Sequence, residues 1–504
     1  MGTKRSKIQW TVALGAAGAW FGQHCGAGFA SGLQEISFFV NAGWLSLLTT
    51  LVPMTIIGLS FYFIGEFARR IKARSYKDVA LALFPNQKWA GRALLALFDL
   101  VVLSSVIVTS STTIAGAGTL LNQTLGINYV LATVLFSAAI VVISMFGARF
   151  LAKLNLPLSI ALVGSLLVIA VSIIGANAGN LETIVSTRET FGMGTGDALK
   201  NMVLYTFFQT GFTSAYIAIA GQFGCKEDNK VMAISGIVIN TGMLVLVTAA
   251  VLSGMPGVVG EDIPILTLVQ QHFGSASPLF GFYSLSLFLA YISTADVVAA
   301  TSRFGVLFNP NGGRNQVVID AVLGIALLTI SLLLAQLGIQ TLVNQGYKML
   351  GTFRGPVYLA AGLIFSPLAI RRLKRGVKVE APVVAPATIE ELPVTPVGAD
   401  AVTTLGVAIA DGKVVEVSNL AEAREAARGA HAVVKDAAGT VKAAGSAVKD
   451  VAASAPAAVA HAAAASVAST AASPITSAAV AHAVVAPVPV ATPVAPKSGK
   501  PPLV

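Results

Sequence analysis

Charge is what this chain has least of: Asp, Glu, Lys and Arg make up 11% of 504 residues against 55% apolar, and the mean hydropathy is +0.78. A soluble domain carries about a quarter charged residues, so the bulk of this chain belongs in lipid. Cysteine is nearly absent too. Cys25 lies inside the first apolar run and Cys225 just after the sixth, which excludes a disulfide framework. His24, His272, His431, His461 and His482 are scattered, and neither HExxH nor GxSxG occurs. That leaves no metalloprotease or nucleophile-elbow chemistry and argues against an enzyme.

Apolar length is what the chain has in abundance. A hydrocarbon core takes about 20 apolar residues per helix. On that measure ten spans fall near 8–40, 43–66, 92–121, 128–147, 152–175, 198–222, 230–253, 277–302, 316–337 and 341–370. Lys4, Arg5 and Lys7 precede the first, and a second span follows almost at once, so the first reads as a retained helix rather than a cleaved signal. With an even number of spans, "FARRIKARSYK" after the second and "RRLKRG" after the tenth share a side with the N-terminus. Arg188 and Lys200 are then about the only basic residues opposite. Both termini are expected in the cytoplasm of a multi-pass cell-membrane protein, and the net charge of +10 reports topology and contact with the lipid bilayer, not nucleic acid.

After Arg375 the composition turns to Ala, Val, Pro and Ser. Residues 1–375 read as a transmembrane transporter domain and 376–504 as a disordered cytoplasmic tail, too poor in large apolar residues to repay the entropy of ordering. Within it, 420–451 has helix-forming composition and mixed charge, which suits either an amphipathic surface helix or plain disorder.

The first span is interrupted by "GQHCGAGFASG", Gly22 to Gly32. In lipid, irregular backbone survives only where protein buries it or a watery cavity receives it. Glycines spaced this way suit either close helix packing or an unwound segment offering N–H groups to an anion and carbonyls to a cation. The sixth span carries its own polar cluster, Gln209-Thr210-Gly211, near its centre. If the chain is two inverted sets of five helices, the first and sixth correspond, and paired interruptions mark a transporter binding site.

"GAGFASG" followed by "QEISFF" resembles the signature of the YkvI-like family of bacterial membrane proteins, putative amino acid permeases in the superfamily with the LeuT-type fold; here Leu33 adds a residue between the two motifs. The resemblance spans roughly residues 8–372 and implies an all-α fold of about ten transmembrane helices in a 5+5 inverted repeat, with the first and sixth broken. It also implies a sodium site. Its ligands would be the carbonyls of Gly22 and Cys25, within the Gly22-x-x-Cys25-Gly26-x-Gly28 pattern, and the Ala290 carbonyl with the Ser293 and Thr294 hydroxyls from "AYISTAD". The alternative for those hydroxyls is back-bonding to their own helix.

By the same resemblance, the N–H groups of Ala27, Gly28 and Phe29 would receive a substrate carboxylate. Phe207 and Phe208 would form an aromatic gate, and Phe29 stands where a further sodium would need a polar side chain. His24 is open to three roles: bonding the substrate, carrying a coupled proton, or satisfying loose carbonyls. Gly26 and Gly28 are both expected to need their missing side chains. Glu35, Asp99, Asp296, Asp320, Lys348 and Arg354 lie within apolar segments, where such residues normally face the interior in pairs and serve coupling or gating; "GTFRGP" marks a kink at Pro356. The sequence reading is thus a secondary transporter of a small zwitterion, an amino acid, with no organic cofactor and with sodium, or else a proton, as coupling ion. The other reading is a non-transporting membrane sensor or scaffold whose tail recruits a partner.

Overall fold

The computed structural model describes residues 8–145, 163–293, 304 and 316–376, and two short strands further on. Among the described residues, four helices are long and apolar enough to cross a membrane: Lys88–Leu125, Lys226–Ser253, Val318–Ala335 and Ile339–Lys374. Two bent pairs add to them, Val40–Thr49 with Pro53–Ile71 at 48° and Val163–Ala176 with Ala178–Thr187 at 73°, and Tyr129–Val141 and Pro278–Ile292 are shorter apolar helices. The remaining two apolar stretches are subdivided, into Trp10–His24, Ala27–Ser31 and Leu33–Phe38, and into Thr195–Phe208 and Thr213–Ala220. Apart from Ala178–Thr187, which lies between the fifth and sixth, these elements lie in or at the ends of apolar stretches that hydropathy marks; the fourth, fifth and eighth stretches run beyond the described residues.

The outer surface of the elements is apolar, as their composition requires. Leu131, Val134 and Leu135 on one helix, and Val318, Val322, Ile325 and Leu333 on another, are large, apolar and exposed, which in water would be a liability and in hydrocarbon is the solvated state. Two short helices, Tyr76–Ala82 and Pro264–Phe273, lie between the longer ones.

Glycines set the closest helix contacts. The Trp20 ring lies on Gly236, where a Cβ would come within 2.3 Å of it, so Trp10–His24 runs flush along Lys226–Ser253. The same end of that pair is fastened by Asp228, whose carboxylate accepts the Gln9 N–H at 2.7 Å and, in capping its own helix, the Gly224 and Cys225 N–H groups at 3.0 Å each. Thr195–Phe208 meets the tenth span at Gly351 and Gly355; a Cβ on Gly355 would sit 2.1 Å from that of Phe207. The spacing is the small-xxx-small pattern of close membrane packing. Pro356 is carried inside Tyr347–Leu359, with wide π-type turns at Leu342–Gly346 and Ala360–Phe365, so the tenth span continues through the proline instead of breaking there.

The chain divides into two units, Met1–Gly398 and Ala399–Val504. In the second, Ala408–Ala410 pairs antiparallel with Lys413–Val415, Ala408 opposite Val415 and Ala410 opposite Lys413.

Candidate functional site

The first helix ends at His24, with the Cys25 N–H still bonded to the Phe21 carbonyl at 2.8 Å. Cys25 then takes ψ 46° and Gly26 the extended pair φ −74°, ψ −174°, which carries the chain out of the helical ladder. The next helical bond is Ala30 N–H to the Gly26 carbonyl, 2.9 Å. The N–H groups of Ala27, Gly28 and Phe29 therefore open a new helix and have no partner within it. Gly32 makes a second interruption at φ +83°, ψ −5°. A Cβ there would meet Ile265 at 2.8 Å and Val251 at 3.0 Å, so both conformation and space reserve the position for glycine.

The two glycines of the break differ. A Cβ on Gly28 would stand 2.9 Å from Tyr347 Cε2 and 3.3 Å from both Gln34 Oε1 and Val343 Cγ2. One on Gly26 would find only the Gln23 carbonyl, at 3.9 Å, and its φ is open to any residue. The space around the break thus demands a glycine at 28 and leaves room for a Cβ at 26. Tyr347 is the residue that covers the break, its hydroxyl reaching the Gly28 N–H and the Thr112 side chain.

The sixth span is not unwound at the matching depth. Gln209–Phe212 is a 3₁₀ turn between Thr195–Phe208 and Thr213–Ala220, and hydroxyls take up the carbonyls it loosens: Thr210 donates to the Phe207 carbonyl at 2.8 Å and Thr213 to that of Thr210 at 2.6 Å. This tightened turn replaces the expected open break. Phe208 is buried and stacks on Tyr347, ring centroids 4.1 Å apart, whereas Phe207 lies against Gly355. Gln209 bonds toward Tyr205, and Gly211 faces the Arg354 guanidinium, Nη1 lying 2.7 Å from where its Cβ would be.

His24 is buried among side chains and not among loose carbonyls. Nδ1 lies 2.8 Å from Asn240 Oδ1 and Nε2 2.8 Å from the Tyr205 hydroxyl. Asn240 Nδ2 donates to the Gly236 carbonyl at 2.8 Å, which turns its oxygen to His24 and makes Nδ1 the donor. The Tyr205 hydroxyl accepts from Gln34 Nε2 at 3.0 Å and so gives its own hydrogen to Nε2. The Phe29 ring closes over the imidazole at 4.4 Å.

Pairing among the intramembrane charges does not follow the expectation. Among the described residues ion pairs form between Glu66 and Arg69 at 2.9 Å and Glu66 and Arg70 at 2.7 Å; Glu35, Lys348 and Arg354 enter none. Arg354 is buried, donates to the Ser105 hydroxyl at 3.1 Å and lies over the Phe208 ring at 4.8 Å. The Lys348 ammonium lies over Phe38 at 5.3 Å. Asp99 accepts the Tyr76 hydroxyl at 2.6 Å. The hydration these charges lose is replaced in part by ring faces and hydroxyls.

The proposed sodium ligands are divided. Gly22 and Cys25 flank the break, and buried Ala290 lies on Pro278–Ser293, which packs against Ala27–Ser31. The Ser293 side chain, Thr294 and Asp296 lie outside the described residues. The sequence reading passed over Gln34, Tyr205, Asn240, Tyr283 and Tyr347. A lone Asn in the apolar run "GIVINTGM" is the one local signal that could have drawn attention to this group.

No protein-family model matches the chain. Over 345 residues it is 25% identical to the uncharacterized membrane protein YkvI of Bacillus subtilis, covering 66% of this chain and 90% of that one. Among solved structures it resembles Mhp1 in its inward-facing conformation, with a TM-score of 0.51 at 15% identity over 74% of this chain and 81% of Mhp1. It also resembles a Na+-coupled sialic acid symporter in a substrate-bound outward-open state, with a TM-score of 0.50 at 15% identity over 71% and 79%. Likeness at this level of identity is one of fold, and the chain is accordingly a multi-pass membrane protein of the LeuT-type fold.

Proposed function

We propose that this protein is a secondary active transporter that moves a small zwitterion, an amino acid, across the cell membrane by alternating access with sodium as a coupling ion. The observation that carries the reading is the break at Cys25–Gly26, where buried Cys25 leads into the buried helix Ala27–Ser31, whose Gly28 is covered by Tyr347. A broken helix presents donors to an anionic group and carbonyls to a cation at one place. In this reading the substrate carboxylate meets the N–H groups of Ala27, Gly28 and Phe29 once Tyr347 withdraws, and Phe208, stacked on Tyr347, moves with it. Sodium takes the carbonyls of Gly22, Cys25 and Ala290 and the hydroxyls of Ser293 and Thr294, an all-oxygen set suited to a hard cation. The sodium coupling of the sialic acid symporter supports the choice of ion.

The test is uptake by the purified full chain in proteoliposomes, against a panel of labelled amino acids, with and without an inward sodium gradient. Accumulation above equilibration, lost when the gradient is collapsed, is the expected result; neither uptake nor exchange of any amino acid would sink the reading. In this reading both termini lie in the cytoplasm, and deletion of residues 376–504 should leave transport intact. Loss of a signalling output on that deletion, with no transport in either form, would favour a membrane sensor or scaffold instead.

A further inference from the structure

Gly211 in the sixth span opens no gap in the backbone; it makes room for a side chain of the tenth. A Cβ on it would stand 2.7 Å from Arg354 Nη1 and 3.1 Å from Cζ. The polar cluster Gln209-Thr210-Gly211 thus gives up one side chain, and a guanidinium enters the bundle in its place.

That guanidinium finds few partners there. Arg354 is 4% exposed, its Nε has no hydrogen-bond partner, and Nη1 donates to the Ser105 hydroxyl at 3.1 Å. Ser105 gives its own hydrogen to the Val101 carbonyl at 2.6 Å, so it is a neutral acceptor and no counter-charge. The ionisable groups facing Arg354 are Tyr347 and Tyr358 of its own span, neutral phenols at pH 7. On the third span Asp99 accepts the Tyr76 hydroxyl, and Thr213–Ala220 of the sixth contains no carboxylate. Among the described residues Arg354 enters no ion pair. A buried arginine without an anion is costly, and its planar fork of donors matches a carboxylate.

Its position ties it to the break. Arg354 lies over the Phe208 ring at 4.8 Å, and that ring stacks on Tyr347, which covers Gly28. Phe208 also stacks on Phe38 at 6.2 Å, and over Phe38 lies Lys348, with Lys200 as its charged neighbour. Lys200 borders an open recess of about 260 Å³ with Asn41, Asp197 and Asn201. Lys200, Lys348 and Arg354 therefore succeed one another, contact by contact, from the recess toward the break. A simple zwitterion needs one receptor for its carboxylate, and the N–H groups of Ala27, Gly28 and Phe29 provide it. A second, permanently charged receptor implies a second acid.

We propose that Arg354 is a carboxylate-binding site and that the solute is an acidic amino acid: the N–H groups of the break take its α-carboxylate, and Arg354 takes its side-chain carboxylate once Tyr347 and Phe208 withdraw. The identity of the solute rests on the transporter reading; the anion site does not.

Thermal unfolding of the full chain in detergent, at matched sodium, tests the site without transport. The probes are L-glutamate and L-aspartate, with alanine as the zwitterion that lacks the second acid and chloride as a simple anion, each against sodium isethionate. Glutamate or aspartate should raise the midpoint of the parent more than alanine does. In Arg354→Gln the apparent affinity, read from the concentration dependence of the shift, should fall by about tenfold or more, and Arg354→Lys should lie between the two. Gly211→Ala keeps the arginine and displaces it, and should show the same loss where Arg354→Gln folds poorly. No shift from either acidic amino acid in the parent overturns the proposal, as does a shift undiminished in the variants or one that chloride reproduces. In proteoliposomes, labelled glutamate or aspartate should be accumulated. Uptake of neutral amino acids alone overturns the choice of solute and leaves the transporter reading standing, whereas an Arg354-dependent shift with no uptake of any amino acid defeats the transporter reading alone.

Discussion

Gly28 and Tyr347 are in contact at the centre of the bundle, so close that a Cβ on the glycine would stand 2.9 Å from Cε2 of the ring. Valine at Gly28 must displace Tyr347 and the Val343 methyl together, an overpacking cost of about 1–3 kcal/mol, and it also blocks the N–H groups of the break. Uptake should be abolished and the thermal midpoint lowered. Gly26→Ala, with nothing nearer than 3.9 Å, should stay within about 0.5 kcal/mol of the parent and retain uptake. Equal damage from the two substitutions, measured by uptake and by thermal unfolding in detergent, would contradict this geometry.

Replacing Asn240 by leucine removes the acceptor of the His24 Nδ1–H and the fixed end of the chain that runs on through Tyr205 to Gln34. Interhelical hydrogen bonds in membranes contribute about 0.6–2 kcal/mol each. The loss should appear as a lower midpoint of thermal unfolding. His24→Gln with Asn240 intact, which can still donate and accept, should lose less. Because the imidazole is held in its neutral form by both partners, the pH profile of uptake should be the same in His24→Gln as in the parent.

The contact of the sixth span with the tenth offers a purely steric test. A Cβ on Gly355 falls 2.1 Å from Phe207 Cβ and 2.4 Å from its Cα, where backbone and not a movable side-chain tip must yield. Gly355→Leu should cost about 3 kcal/mol or more and reduce folded yield. Gly346→Ala on the same span, whose nearest neighbour is Val108 Cγ1 at 3.5 Å, should be silent. The readout is the monodisperse fraction on size-exclusion chromatography after mild heating.

Sodium and substrate, if they share the break, must assist each other reciprocally: sodium tightens substrate binding by the same factor as substrate tightens sodium binding. Ser293→Ala combined with Thr294→Ala removes two oxygens from the proposed site and should shrink both couplings together. Cys25→Ala, which keeps its carbonyl, should leave them nearly unchanged. Equilibrium binding in detergent measures both, and substrate affinity independent of sodium in the parent would rule the site out.

The parts of this molecule legible in sequence are those that depend on neighbours along the chain. The apolar stretches, the break between Gly22 and Gly32 and the polar cluster at Gln209 are all local patterns, and each marks a place where the backbone changes course. Partners are another matter. His24 meets Asn240 across 216 residues and Tyr205 across 181, and no periodicity in a single chain encodes which distant residue fills a given space. The same limit explains why the sixth span was expected to open: Gly211 suggested a gap, but hydroxyls at Thr210 and Thr213 resolve the turn internally. Gly351 and Gly355 have the spacing of a packing motif, but nothing local names Phe207 and Phe208 as what they pack against.

One bond near the start of the chain sets an order of assembly. The Gln9 N–H closes on Asp228, and both Trp20 and His24 complete their contacts on the same later helix. During synthesis the first helix must therefore wait in the bilayer without its principal partner until more than 200 further residues have emerged. Such long-range closure is paid for late in folding. The broken helix is thus made well before the helix it closes on and is among the last to be fixed, and a lesion at Asp228 should show itself in newly made protein as slow maturation, before any defect in the finished molecule.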